Sequence, residues 1–444
     1  MILPTEAQTL MLALAPAFSS PTFDRFLTLL VAAVLTPGRR TVANLLRILG
    51  PLARGHRTSY QRVLSTASWS GLCLGILLTR WVLRRLLPTD PVFLVGDDTV
   101  DGHKGKRVYG KARHRDPVRS TRSYIAWRYG HKWVVLSVLV RFPFATRPWA
   151  LPVLVDLYRS EADNDRRRRP HRTPAQIMCR LLRLLLREFP RRSFVFVGDS
   201  AYGSHAVARF VRRHHPRLTL ISKLHPDANL FAPPSPYQGK GRPRVKGAPL
   251  PKPRATATAA RSQRLTVGWY GGGTRRVTTV TATGCWYKAG RGLVSLRWVF
   301  VRDQAGTHRD EYFYCTNPDW KPADMITAYT RRWNIETTFQ ELRAHLGLES
   351  TRGWCAQTVL RAAPCLFGLY TMVAMLYHVM PESQRSTAIH WPGKVGVTFS
   401  DALAAVRGWF WIEGVLPQLP DDPSIQKLSP ALREIVLAAL VPTG

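Results

Sequence analysis

The sequence predicts an α/β protein built on a mixed β-sheet, with helical regions before and after it. Three observations carry this. Two short apolar runs, FLVGDD (Phe93 to Asp98) and FVFVGDS (Phe194 to Ser200), read as buried strands ending in carboxylates. Around them, strand-like runs alternate with helical patterns, the order of a layered α/β fold. Residues 1–90 and 354–444 show helical periodicity instead.

In chain order, residues 1–90 hold four helical segments. Phe23 to Leu35 is stopped by Pro37-Gly38, Thr41 caps VANLLRIL, and Ser59 to Ser65 and Ser70 to Leu87 follow. Arg39, Arg40, Arg54, His56, Arg57 and Arg62 gather at their junctions, as in a helix-turn-helix headpiece. Residues 91–223 form the first part of the core. After Asp98 comes a cationic stretch with Lys104, Lys106, Arg107, Lys111, Arg113, Arg115, Arg119 and Arg122, expected as a loop or hairpin over the strand ends. SYIAWRYG and KWVVLSVLVRF read as strands two and three, and Arg166 to Arg169 as a solvated loop. Thr173 to Phe189 is an amphipathic helix facing the core through Ile177, Leu181, Leu184, Leu185 and Phe189. A helix near His205 to His214 and the strand LTLIS complete this part.

Residues 224–310 begin with a Pro-, Gly- and cation-rich linker and continue as alternating β-type runs, read as an all-β insertion. Its Trp269, Tyr270, Trp286, Tyr287 and Trp298 suit sheet packing, with room for one base contact. Residues 311–353 return to the core. Here DMITAYTRRWNIETTFQELRAHLGL (Asp324 to Leu348) reads as one long helix. Tyr329, Arg332, Glu336, Gln340 and Arg343 fall on one face, and Trp333, Phe339, Leu342 and Leu346 on the core side. In residues 354–444, CLFGLYTMVAMLYHVM is 16 residues long, short for a membrane span and better read as a buried helix. Ser400 and Asp401 suit a cap, and Ser429-Pro430 starts a final amphipathic helix.

Composition narrows the function. The chain has 444 residues and 45% hydrophobic content, ample for a core. Lys and Arg number 64 against 28 acids, a net charge of +36, which points to a polyanionic partner. Cys73, Cys179, Cys285, Cys315, Cys355 and Cys365 contain no CxxC pair, which argues against a zinc site and for a reducing compartment. No basic segment followed by a long apolar run opens the chain, so no signal peptide is expected.

The acids of GDDT, GDSAYG and YTRRWNIETTFQELR bring these readings together. They resemble the motifs of DDE transposases of bacterial insertion sequences, whose Asp-rich first strand, second strand ending Asp-Ser/x-x-Tyr-Gly, and helix patterned Tyr-x2-Arg-x3-Glu-x6-Lys match Asp97, Asp199, Tyr329, Arg332 and Glu336. Arg343 stands where the family has Lys; it keeps the charge but not the geometry. The resemblance covers roughly Pro91 to Gly353. It implies an RNase H-like core with a β insertion before Glu336, and Asp97, Asp199 and Glu336 as ligands of two Mg²⁺ or Mn²⁺ ions. Asp98 is the rival first acid, but strand alternation points it to the opposite face. Tyr329, Arg332, Arg343, Lys104, Lys106, Arg107, Lys111 and Arg113 become DNA contacts. The partner is double-stranded DNA, gripped by a homodimer without a membrane, in the bacterial cytoplasm at the nucleoid. A nuclease on the same fold, a DNA-binding derivative and an RNA-binding structural protein are the competing readings.

Overall fold

The computed structural model describes residues 2–418, apart from 117–118, 122, 238, 240–241 and 386–393, with scattered positions beyond. The final helix expected from Ser429-Pro430 lies largely outside the described residues. Helices α1 (Thr5–Leu12), α2 (Ser20–Leu35), α3 (Val42–Leu49), α4 (Arg57–Ser65) and α5 (Gly71–Leu86) open the chain. The core follows as β1 (Val92–Gly102), β2 (Ala112–Arg115), β3 (Trp127–Val140), β4 (Trp149–Tyr158), α6 (Glu161–Arg166), α7 (Pro174–Glu188), β5 (Phe194–Gly198), α8 (His205–Arg212) and β6 (Leu218–Lys223). Then come β7 (Leu230–Phe231), α9 (Pro253–Ala259), β8 (Gln263–Gly268), β9 (Thr274–Lys288), β10 (Gly292–Asp303) and β11 (Glu311–Cys315). Helices α10 (Pro322–Arg331), α11 (Asn334–Ala344), α12 (Ala356–Val379) and α13 (Phe399–Trp409) follow.

Among the described residues, one mixed sheet of 11 strands organises these elements, in the order β2-β3-β1-β5-β6-β11-β10-β9-β7, with β4 also on β3 and β8 on β9. Strands β1, β5 and β6 are parallel; β3 and β11 flank them antiparallel. Helices α5, α11 and α12 pack against β4, α7 against β3 and β4, and α8 against β6 and β10. The sheet interior is apolar because the central strands are covered on both faces, as in other parallel sheets: Leu94, Phe196 and Leu220 are fully buried.

Several expectations change here. The runs expected as strands two and three are a single strand, β3, starting only at Trp127. The third long strand is β4, hidden in the sequence by Pro152, which lies beside a register shift opposite Ser137. Strand β1 runs past Asp97 and Asp98 to Gly102, so the two acids sit within the strand and not at its end. The strands read as an all-β insertion join the core sheet through β11. The basic linker contains helix α9. The single long helix is two, α10 and α11, separated at Arg332-Trp333 by a tighter turn in which Arg332, Trp333, Ile335 and Glu336 donate to carbonyls three residues back. That turn rotates Trp333 out of the core to 38% exposure, while Phe339, Leu342 and Leu346 stay buried. Thr398, rather than Ser400, caps α13, with Asp401 completing a capping box.

Part of the cationic excess is structural. Arg40, expected with other cations at a helix junction, is buried, its Nε donating to the Ala33 carbonyl at 2.7 Å. Arg407 donates to the Val34 and Thr36 carbonyls at 2.8 and 3.3 Å. Both guanidiniums therefore satisfy carbonyls at the C-terminal end of α2, where the helix dipole favours a cation. Burial, and for Arg40 also the charge of Arg407, lowers both pKa values, to about 9 for Arg40 and about 10 for Arg407. Arg407→Met should lose about 2–3 kcal/mol, since buried carbonyls lose charged donors. A urea midpoint unchanged from the parent would show that α2 does not depend on this cap. In the Arg166 to Arg169 run, Arg166 and Arg167 bond Asp163, Arg167 lies over the Tyr109 ring and Arg169 donates to the Tyr109 hydroxyl. All four side chains stay exposed, as expected of a solvated segment, and three of them also make these surface contacts. Helix α12 is long and apolar enough to cross a membrane, but most of it is buried against the rest of the chain.

Candidate active site

Asp97 and Asp199 become neighbours through strand register. Strands β1 and β5 pair in parallel with Gly96 opposite Gly198, so the acid after each glycine lies at the same level. Adjacent strands are only about 4.8 Å apart. Gly96 faces Phe196 and Met178 so closely that a Cβ there would lie 2.6 Å from either side chain. The Asp199 carboxylate accepts from the Ala201 and Tyr202 amides at 2.9 and 3.2 Å, which holds the turn of the DSAYG motif.

Glu336 arrives from the first turn of α11. The turn between α10 and α11 places Arg332 between the two motifs. Its guanidinium donates to Asp97 at 2.9 Å and to Glu336 at 2.7 Å. Acids 239 positions apart in the sequence thus share one cation, which is only 12% exposed. Asp97 keeps 19% exposure and Glu336 42%, so the site opens to solvent on the Glu336 side. Burial pushes the Asp97 pKa up to about 7; Arg332 opposes this, while Asp199 and Asp98 add to it. The Arg332 guanidinium is held firmly in its charged form by Asp97 and Glu336, despite its burial.

Asp98 turns to the other face, as strand alternation predicts. It pairs with Lys132 at 2.9 Å and accepts from the Tyr202 hydroxyl at 2.9 Å. Burial first, and then the surrounding acids, keep that phenol protonated. Neither partner is visible in the local sequence around Asp98.

The remaining expected residues are dispersed. The Tyr329 ring is buried and stacked on Phe313 at 4.2 Å, so it does not stand open to solvent. Arg343 reaches the Thr99 hydroxyl of β1 and pairs with Glu349 at 3.3 Å. Lys104, Lys106 and Arg107 are exposed between β1 and β2. Lys111 donates to the Gly105 carbonyl at 2.7 Å, and Arg113 lies 4.1 Å over the Trp127 ring. Beside them Tyr124, Ile125, Trp127 and Tyr129 are about half exposed or more. Of these, Tyr124, Trp127 and Tyr129 were not singled out from the sequence, although aromatics interleaved with Arg128 and the neighbouring cations form a stacking pattern. Four of the five rings expected to offer a base contact pack within the fold. Trp298 is buried, Trp286 packs on His205 and Tyr314, and Trp269 and Tyr270 cluster with His308.

A family model described as DDE superfamily endonuclease matches residues 13–276, more than half of the chain. The chain belongs to the DDE superfamily of endonucleases. The matched region of this DDE chain includes Asp97 and Asp199 and ends before Glu336. A search of curated proteins finds no match. Among solved structures, a piggyBac transposase synaptic complex with hairpin DNA is similar at 10% identity and a TM-score of 0.40, covering 96% of this chain and 77% of that one.

DDE endonucleases use divalent metal, and the donors here suit one. Asp97, Asp199 and Glu336 offer only carboxylate oxygens, the preference of Mg²⁺ and Mn²⁺. Asp97 is a buried acid flanked by acids, a setting that a cation relieves.

Proposed function

We propose that this chain is a DNA transposase that cleaves and joins insertion-sequence ends, with Asp97, Asp199 and Glu336 as its metal-binding acids. The observation that carries the reading is the meeting of Asp97 and Glu336 on one guanidinium, with Asp199 on the adjoining parallel strand. Two divalent ions there would supply an activated water or 3′-hydroxyl and shield the leaving oxygen. The chain supplies the rest. Arg332 neutralises the acids at rest and is a cation within reach of a phosphate brought to Glu336. Tyr329 packs beneath it, with its ring 5.8 Å from the guanidinium. Arg343 sits further along β1, where it meets the strand beyond the cleaved bond. Lys104, Lys106, Arg107, Lys111 and Arg113 track the backbone, and the 1–90 headpiece reads the element's ends as one member of a homodimer.

Incubation of a labelled element-end duplex with the chain and Mg²⁺ or Mn²⁺ tests this reading. Joined products support transposition. Cleaved ends that never join would reduce the activity to that of an endonuclease, the description the family carries.

The charge gives a second test. Each phosphate neutralised contributes about −0.9 to the slope of log affinity against log salt, so an element end gripped along the chain should give about −6 or steeper. Neutralising Lys104, Lys106 and Arg107 should make the slope shallower on every sequence. Neutralising the exposed headpiece cations Arg39, Arg54 and Arg57 should instead reduce preference for the element's own ends. Loss of only unspecific affinity in the headpiece variants would move end recognition to another part of the chain.

A further inference from the structure

We propose that Asp101, His103 and His131 hold one transition-metal ion of the Zn²⁺ type, at a site separate from the catalytic acids. The three come together through strand geometry. Asp101 and His103 are two residues apart at the end of β1, so they share a face, and His131 is the direct cross-strand partner of Asp101 on β3. Gly130 lets the strands close, since a Cβ there would lie 1.6 Å from the Asp101 carbonyl oxygen. Asp101 lies four residues beyond Asp97 on the same face, about 13 Å along the strand. One ion cannot span both groups.

The spacing fits a small coordination shell. His103 Nε2 lies 3.6 Å from one Asp101 oxygen, and His131 Nδ1 lies 3.4 Å from the other. All three ligand atoms fall within 4.8 Å of one another. Tetrahedral Zn²⁺ with bonds of about 2.0–2.1 Å places its ligand atoms about 3.3 Å apart, so only the widest separation has to close. Two imidazoles and one carboxylate suit Zn²⁺ far better than Mg²⁺, and the lack of a CxxC pair, which argued against zinc in the sequence, bears only on cysteine-ligated sites.

The surroundings are also those of a metal ligand set. His131 is 1% exposed, and its Nε2 faces the Tyr109 carbonyl at 2.9 Å. That carbonyl can only accept, so Nε2 carries a proton. In the neutral ring Nδ1 is then a bare lone pair; it is buried, has no hydrogen-bond partner and points at a carboxylate. A cation between the two relieves that contact. Metal-bound histidines commonly donate their second nitrogen to a carbonyl in this way. Asp101 is oriented in turn by the His131 amide at 2.9 Å and the Trp133 indole at 3.0 Å. Thr351, beyond α11, meets His103 Nε2 at 3.3 Å. An ion here would clamp β1, β3 and the segment after α11 together.

The experiment measures binding of Zn²⁺ alone, and of Co²⁺ alone, to the full chain, with the thermal midpoint followed in parallel. One ion per chain is expected for the parent and for Glu336→Gln, with the visible absorption of a tetrahedral Co²⁺ centre and a raised midpoint. Mg²⁺ should not compete. His103→Ala should weaken Zn²⁺ by at least the ~10–100-fold that follows loss of a mere orienting partner. A parent chain that binds no Zn²⁺ and shows no shift in midpoint would identify the cluster as a buried ion pair with a doubly protonated His131, and would overturn the proposal. Zn²⁺ lost in Glu336→Gln but kept in His103→Ala would overturn it as well. The comparison of the parent with and without Zn²⁺ does not depend on any variant folding.

Discussion

Glu336→Gln is expected to lower DNA cleavage by at least about a thousand-fold while leaving DNA affinity within about threefold. The substitution keeps the side-chain shape and an oxygen that can accept from Arg332, so α11 and its turn are undisturbed. It removes one of the anionic ligands proposed for the metal. A metal stabilises the reacting phosphate by several kcal/mol, and each 1.36 kcal/mol is tenfold in rate. Glu336 is 42% exposed, so the change leaves no unpaired group in the core. Cleavage of labelled duplex and a parallel binding titration separate the two effects. Parental cleavage by this variant would remove Glu336 from the proposed site and with it the three-acid reading.

Asp97→Asn should abolish cleavage too, but its more informative effect is on stability. In the folded chain Asp97 titrates at about 7, against 3.8 for an ordinary aspartate. Between those values the folded state holds a proton that the unfolded chain has released. Stability therefore falls as pH rises from about 4 to about 7, and the loss persists above. Three pKa units correspond to at most about 4 kcal/mol. Asn resembles the neutral acid, so the variant should be the more stable protein at pH 8 and should match the parent near pH 4. Urea denaturation in chelator, without DNA, measures the difference across that range. A variant less stable than the parent at pH 8 would mean that the ion pair with Arg332 outweighs burial and the two acid neighbours. The expected gain is a form of stability exchanged for activity.

The α/β class, most elements and the order of the three acids were legible because each rests on a local pattern. Thr173 and Gln176 announce α7 as a capping box. The apolar run FVFVGD announces a buried strand and places its acid just beyond it. What stayed hidden depends on partners far away in the chain. Strand β4 carries a proline, tolerable only because its neighbour β3 shifts register there. The break at Arg332-Trp333 has no proline or glycine to mark it. Arg332 was legible as a helical neighbour of Glu336, four residues on, but its bond to Asp97 crosses 235 positions. Asp101-x-His103 is a two-residue spacing that strand periodicity could have flagged once β1 was known to extend past Asp98. His131 joins it only through pairing with β3.

The shared guanidinium of Arg332 has a thermodynamic corollary. It is an internal counterion tethered beside the acids, and its effective concentration there far exceeds that of free ions. An external cation must displace it, so the resting chain binds that cation less tightly than its bare carboxylates would. A phosphate that draws Arg332 away lifts this penalty. By reciprocity, the factor by which phosphate tightens cation binding equals the factor by which the cation tightens phosphate binding. Substrate and cation are then held as a coupled pair, and each one alone is held weakly.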